Sequence, residues 1–391
     1  MQRSRELPIH MQRNGFDPVP ELNAIRQRDG VVRSTSPFGL DTWVVTRYAD
    51  VRQVLSDWES FSNVLPGSPE SGEGQAVMRS AGNVLVVDPP EHTRLRRTVA
   101  SEFTSRRLNR LEPRITRIVN DHLDALERSG SSGDLVASFS IPVPSLVICE
   151  LLGVPFEDRE DFLRYTNGFL NTSFSAEERM ALHAESHAHL ARLAARNRVD
   201  PGEGLLGRMV LEHGDELSDA EIVGMVSLLL LVGHETTSDM LSLGTFALLR
   251  HPDQLDRLRR DPEIIDAAIE ELLRWLTIAH TSTTKVATRQ VEIAGHVINS
   301  GDLVICSLPA ANRDPVLVAR PDELDITRPP SRHVAFGHGP HHCIGAPLAR
   351  LQLRIALPVL LSRFPSLKLA AEPEFRSGHL THGLKSLPIA W

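Results

Sequence analysis

The run Phe336-Gly337-His338-Gly339-Pro340-His341-His342-Cys343-Ile344-Gly345 places a cysteine at the close of a turn rich in glycine, proline and histidine. The stretch that follows, PLARLQLRIALPVLLSRF, has the spacing of an amphipathic helix. Glycine and proline let the backbone turn tightly and come close to a flat ligand. A cysteine just ahead of a helix N-terminus meets main-chain N–H groups and the positive end of the helix dipole, both of which favour the thiolate that a metal ligand must be. A zinc site built from His341, His342 and Cys343 is the rival reading, although adjacent ligands with no second pair do not resemble a structural zinc finger. The remaining cysteines, Cys149 and Cys306, lie in apolar runs and read as buried, inert thiols. Three cysteines, an odd number with no CxxC, indicate no disulfide framework.

A second group with chemical potential is Gly233-His234-Glu235-Thr236-Thr237, set in IVGMVSLLLLVGHETTSDMLSLGTFALLR. The flanks are apolar almost all round, the pattern of a buried helix, and Ser218 with Glu221 three residues on forms a capping box at its start. Burying a carboxylate and hydroxyls is costly without partners, so the polar patch faces a cavity, a solvent chain or a ligand. The plainer alternative has Thr236 bonding back to the preceding turn and Glu235 pairing with a distant arginine. Glu271 and Arg274, three apart, are compatible with a helix-surface ion pair worth a few tenths of a kcal/mol.

The elements that must position these groups are mostly helices. From Glu112 to Arg274 the 3.6-residue apolar period prevails, as in PRITRIVNDHLDALERS and AEERMALHAESHAHLARLAARNR. Short strand-like pieces sit near the ends, at Thr42 to Thr46, Val291 to Ile293 and Leu303 to Cys306. Residues 1–391 contain no Gly/Ser-rich linker and read as one large domain. Two segments depart from the helical pattern and suit lids or binding loops as well as plain surface loops: Ser62 to Asn83, rich in Gly, Ser and Pro, and Asn171 to Ser175. A net charge of -8 argues against nucleic acid as partner. The longest mostly apolar run, Met225 to Val232, is short of the roughly 20 residues of a membrane span. The start lacks an apolar signal region. A cytoplasmic protein, not bound to membrane, is expected.

The cysteine motif resembles the haem-binding signature of the cytochrome P450 superfamily, Phe-Gly-x-Gly-x-His/Arg-x-Cys-x-Gly, with no departure, and other family motifs follow in order. These are DPPEHTRLRR, the central Val232-Gly233-His234-Glu235-Thr236-Thr237, Glu271-Leu272-Leu273-Arg274, ANRDP and the arginine after PDELDIT, Arg328. The resemblance spans essentially the whole chain and is greatest to soluble actinobacterial members. It implies a mainly α fold with small β-sheets, a triangular prism holding haem b between the central helix and the helix after the cysteine loop. Cys343 is then the iron ligand, with Gly233, Phe336 and Gly345 against the cofactor. His92, Arg96 and His341 reach the propionates, since charge-assisted hydrogen bonds are the strong ones. Lys285 stands where the family commonly has arginine, and a point charge in place of a planar fork implies a weaker or water-mediated propionate contact. Glu235 and Thr236 correspond to the acid and alcohol that deliver protons, and Glu271, Arg274 and Arg328 to a structural triad.

The resemblance also implies a reaction: insertion of one oxygen atom from O2 into a bulky lipophilic molecule, by hydroxylation or epoxidation. Electrons come from a ferredoxin and its NAD(P)H-dependent reductase, acting on a monomer. Docking is expected on the cysteine side, where Arg94, Arg97, Arg106, Arg107 and Arg350 form either a basic patch or an ordinary solvated face. Val232, Leu229, Leu170, Phe174, Ile278, His280 and Leu380 are the expected substrate pocket. Val232 replaces the usual alanine one turn before Thr236, so it either narrows the space over the iron or simply faces the core. Tailoring of a secondary metabolite is the leading role. The alternatives are catabolism of a terpenoid or xenobiotic, a peroxygenase, or a non-catalytic haem protein. The last two have no need of the Glu235–Thr236 pair.

Overall fold

The computed structural model describes residues 7–36, 40–65, 81–170 and 175–391. The helices that matter for the site are α1 (Glu91–Ala100), α2 (Glu112–Arg128), α3 (Pro142–Leu152), α4 (Ala176–Val199), α5 (Asp219–Arg250), α6 (Ile265–Leu276) and α7 (Ala346–Arg363). The central helix α5 starts where the capping box predicts: Ser218 Oγ accepts from the Glu221 N–H and the Glu221 carboxylate accepts from the Ser218 N–H. It stops after 32 residues at Arg250. Pro252 follows, and a residue before proline is disfavoured in the helical conformation. Its length is about 48 Å at 1.5 Å per residue.

Helices α3, α4 and α7 pack on α5, whose ends are buried on nearly every side, in a large apolar core that includes Val147, Leu243, Leu272 and Leu353. By length and mean hydropathy α5 is also the one helix among the described residues long enough and apolar enough to cross a membrane, which the shorter run Met225 to Val232 did not suggest. Half of its most apolar stretch is buried against the rest of the protein, as in a core helix.

The β structure is small and gathered from distant parts of the chain. Strands β1 (Val31–Thr35), β2 (Asp41–Val45), β3 (Phe61–Ser62), β4 (Lys285–Ala287) and β5 (Leu303–Cys306) form one sheet in the order β1-β2-β5-β4-β3. Only the β2–β5 pair is parallel, with Val304 opposite Trp43 and Cys306 opposite Val45. A second, smaller core lies between this sheet and the helix Tyr48–Ser56. The expected strands at Val291–Ile293 and Leu303–Cys306 occur as read, and the first is shifted by one residue to Asp41–Val45. The sheet places β4, and with it Lys285, beside β3 and the Cys343 loop.

Candidate active site

The loop ahead of α7 is held by its own backbone. Gly337 N–H donates to Val334 O at 2.9 Å, His342 N–H to Gly339 O at 3.0 Å, and Cys343 N–H to Phe336 O at 2.9 Å. Gly337 and Gly339 have φ of +73° and +72°, a region that side-chain-bearing residues avoid. A Cβ at Gly339 would also collide with the Leu55 carbonyl at the end of the helix Tyr48–Ser56. The sequence thus folds into a tight hook that delivers Cys343 to the start of α7. Its sulfur accepts from the main-chain N–H groups of Gly345 and Ala346 and carries exposed surface although protein surrounds it. Burial pushes the thiol pKa up, while those N–H groups, Arg96 and Arg350 act in the opposite direction. The Arg350 guanidinium lies 4.6 Å from the Phe336 ring centre and is fixed by Glu270 at 2.5 and 2.9 Å.

Next to the loop, His92 of α1 and His341 face each other with ring centres 4.1 Å apart. The Nε2 atom of each is buried and has no hydrogen-bond partner among the described residues. Burial keeps both rings neutral, His341 being pushed down to about 3. Lys285, 1% exposed, donates to Asn63 Oδ1 at 2.6 Å and Phe61 O at 3.3 Å, which leaves one of its three N–H groups uncommitted among the described residues. Arg96 donates from Nη2 to His342 O at 2.5 Å. An unpaired buried polar group costs about 1–3 kcal/mol. A flat ligand with two carboxylates, laid against the Cys343 sulfur, would give these donors partners, so the donor set fits haem b.

On α5, Thr236 Oγ1 donates back to Val232 O at 3.2 Å, and Glu235 pairs with Arg376 at 2.8 Å and His379 at 3.6 Å. Both contacts of the plainer reading are therefore present. Burial alone would raise the Glu235 pKa, but His379 and Arg376 outweigh it and the group is held below the usual carboxylate range. The same Arg376 makes a forked pair with Asp239 at 2.5 and 2.6 Å, and burial pushes Asp239 up to about 7 against that attraction. The backbone passes so close that a Cβ at Gly383 would strike both Asp239 and Arg376. Sequence reading missed Arg376, Asp239 and Gly383. The available signal was the four-residue step from Glu235 to Asp239, which puts both acids on one helix face.

Of the expected pocket, Val232 is 42% exposed in the middle of a helix that is otherwise mostly buried, so it does not face the core. Ile278, His280 and Leu380 are brought together by an Ala279–Thr381 bridge, with His280 N–H donating to Leu380 O at 3.4 Å and His382 N–H to Ile278 O at 2.7 Å. Leu229 and Ile278 are each 8% exposed and belong mainly to the core, whereas Leu380 is 56% exposed. The Leu170 side chain, Phe174 and most of the Ser62–Asn83 and Asn171–Ser175 loops lie outside the described residues. A Cβ at Gly233 would sit 2.8 Å from Ile148 Cδ1, so the missing side chain also lets α5 approach α3. Gly345 is close to the sulfur, a Cβ there lying 3.8 Å from Cys343 Sγ.

Glu271 and Arg274 are buried and not the surface pair their spacing allowed. Arg274 forks onto Glu271 at 2.7 and 2.8 Å, Arg328 reaches Glu271 at 3.2 Å, and Arg274 also caps the carbonyls of Asn312 and Pro321. Asn312 in turn accepts from the Val334 N–H at 2.7 Å, which ties this network to the cysteine loop.

The sequence profile of the family described as "Cytochrome P450" matches residues 10–186 and 185–374. Cytochrome P450 165B3 of Amycolatopsis orientalis is 44% identical over 98% of each chain. Pentalenic acid synthase of Streptomyces avermitilis is 41% identical over 96% of this chain and 95% of its own. The solved structure of P450 StaH from glycopeptide antibiotic A47934 biosynthesis superposes with a TM-score of 0.90 and 42% identity, covering 99% of this chain and all of that one. With a cysteine hook, a central acid and alcohol, and a buried Glu–Arg–Arg network on this fold, the chain belongs to the cytochrome P450 family, enzymes that use haem b to incorporate oxygen from O2.

Proposed function

We propose that residues 1–391 form one monooxygenase unit that inserts an oxygen atom into a bulky lipophilic secondary metabolite, with Cys343 as the iron ligand. The observation that carries this reading is the Cys343 sulfur, presented with two N–H donors behind it and beside the unpartnered His92 and His341 nitrogens. Bound haem supplies O2 activation, which a thiolate ligand promotes by donating electron density. The chain's own residues do the rest. His92, His341, Arg96 and Lys285 bind the propionates, and Phe336 and Gly345 form the floor beside the sulfur. Thr236 holds a proton at Oγ1 once its bond to Val232 O is released, and Glu235, ionised while it is paired with Arg376, relays a proton to it only after that pairing breaks. Val232 covers the approach to the iron and holds the substrate to one side. Glu271, Arg274 and Arg328 fix the hook from beneath.

Two of the similar proteins, by their names, make pentalenic acid and serve glycopeptide antibiotic biosynthesis, and they support a tailoring role here. A cytoplasmic monomer reduced by a ferredoxin and its NAD(P)H-dependent reductase completes the proposal. Of the arginines expected to receive that ferredoxin, Arg94 is held by Glu91 and Glu221, Arg97 by Glu216, Arg107 by Glu102 and Glu212, and Arg350 by Glu270. The patch is thus largely neutralised within the fold. Cys343→Ser is the deciding experiment. The reduced carbon monoxide complex should lose its red-shifted Soret band, and a variant that keeps the band would remove Cys343 from the role. NADH use with a surrogate ferredoxin system, with and without substrate, separates a monooxygenase from a peroxygenase or a haem carrier.

A further inference from the structure

Between the N-terminal segment and the turn after Phe375 lies a partly open pocket of about 230 Å³. Its polar wall consists of Arg13, Arg376, Ser377, His280, His379 and His382, and no described aspartate or glutamate lines it. Arg376 already has counter-charges in Glu235 and Asp239. Arg13 has none: among the described residues no carboxylate lies within ion-pair distance of it. Its Nε donates to His280 Nδ1 at 3.4 Å, its Nη2 to Thr277 O at 2.8 Å, and its Nη1 is buried without a partner among the described residues. The nearest carboxylate to exert a pull, Asp17, is committed to Arg313 at 2.8 Å, and Arg313 itself repels Arg13.

A helix-capping role accounts for part of this. Thr277 ends α6, and a cation at a helix C-terminus is favourable. That role uses Nη2 and leaves the cavity wall unexplained. Burial, with Arg13 and the neighbouring cations, keeps His280 and His382 neutral, at about 2 and about 3. His280 accepts from Arg13 at Nδ1, so its proton is on Nε2 and the ring is a donor there. The wall therefore combines a half-buried guanidinium, whose Nη1 is buried and has no counter-charge among the described residues, with hydrogen-bond donors, and an anion would complete it. Leu7, Met11 and Phe375 make the rest of the lining apolar.

We infer that this cavity receives the carboxylate of an amphipathic substrate, with the Arg13 guanidinium as its counter-charge. The inference rests on the oxygenase reading, because the cavity shares Arg376 with Glu235, next to Thr236. Apolar chain beyond the anchor runs along Leu7, Met11 and Phe375.

The test is calorimetric titration of the haem-loaded protein with straight-chain acids from octanoic to hexadecanoic, each against its primary amide. At neutral pH the acid should bind at least about tenfold more tightly than the amide, the strength of a charge-assisted over a neutral contact. Arg13→Gln should bring the ratio close to one, and Arg13→Lys, which keeps the charge, should retain most of the preference. Equal affinities of acid and amide, no binding by any acid of the series, or a preference that survives in Arg13→Gln or is lost in Arg13→Lys overturns the assignment. Should Arg13→Gln fail to fold, the wild-type contrast and the lysine variant still decide it. The carbon monoxide spectrum of the same preparation keeps the two readings apart. A red-shifted band without acid preference overturns this pocket alone, and acid preference without the band overturns the oxygenase reading alone.

Discussion

A valine that is 42% exposed in mid-helix, one turn from Thr236, has a stiff β-branched side chain that cannot swing aside. Val232→Ala should therefore admit larger ligands and broaden the products. A bulky azole should bind more tightly to the variant, and product analysis with the native substrate should show more than one site of attack, with little loss of stability. The Thr236 hydroxyl is half-buried and bonded only to its own helix, so Thr236→Ala removes little packing. Haem and substrate binding should persist while electrons are diverted to peroxide, read as NADH consumed per product formed. Arg376 stands differently, since it neutralises two acids at once. Arg376→Gln leaves Asp239 without its counter-charge beside Glu235, and since its pKa already stands at about 7 the loss of stability should grow as pH rises above 7, read by thermal or denaturant unfolding. Adding Asp239→Asn should recover most of that loss, because the stranded charge is then gone.

Elements meet at this site through a few polar clamps. Glu270 of α6 holds Arg350 of α7 at 2.5 Å and His333 of the loop at 3.2 Å, so it fixes two neighbours of the cysteine hook at once. Burial alone would raise its pKa, but Arg350 and His333 bring it down from 4.5 to about 2. A depressed carboxylate contributes stability that is complete above the unfolded pKa and disappears as pH falls through the folded one. That contribution, at most about 3 kcal/mol, is lost between pH 4.5 and about 2. Glu270→Gln should flatten the acid limb of the stability curve in that window, followed by far-UV circular dichroism, and leave the curve parallel to wild type outside it. The approach of residues 81–82 to α5 is set by shape instead. A Cβ on Gly224 would overlap the Ala81 carbonyl, so Gly224→Ala should force the two apart and lower the melting temperature by several degrees.

On the scale of the molecule, the proposed reduction by a ferredoxin docking on the cysteine side concerns a chain of net charge -8. Most arginines expected there are already paired with carboxylates, and exposed, paired charges steer weakly through salt water. Reduction by a ferredoxin should accordingly change by less than about tenfold between low and roughly 0.5 M salt. A steeper dependence would show that the arginines exchange their internal partners for the ferredoxin.

What the sequence by itself determined are features written in contiguous residues. The cysteine hook is a local glycine turn ahead of a helix, α5 announces its start through Ser218 and Glu221, and the Glu271–Arg274 pair needs only helical spacing. Long helices were legible because their apolar period repeats many times, whereas the two-residue strand β3 offers no period to read. Tertiary structure alone decided what surrounds the chemistry. Arg376 reaches Glu235 across 141 residues and Arg13 reaches His280 across 267, and no local propensity encodes such a meeting. That Gly233 also lets α5 pack closely on Ile148 of α3 is likewise visible only in the fold. A fold places side chains by packing whole elements, so the partners of a buried charge are known only once those elements are in place.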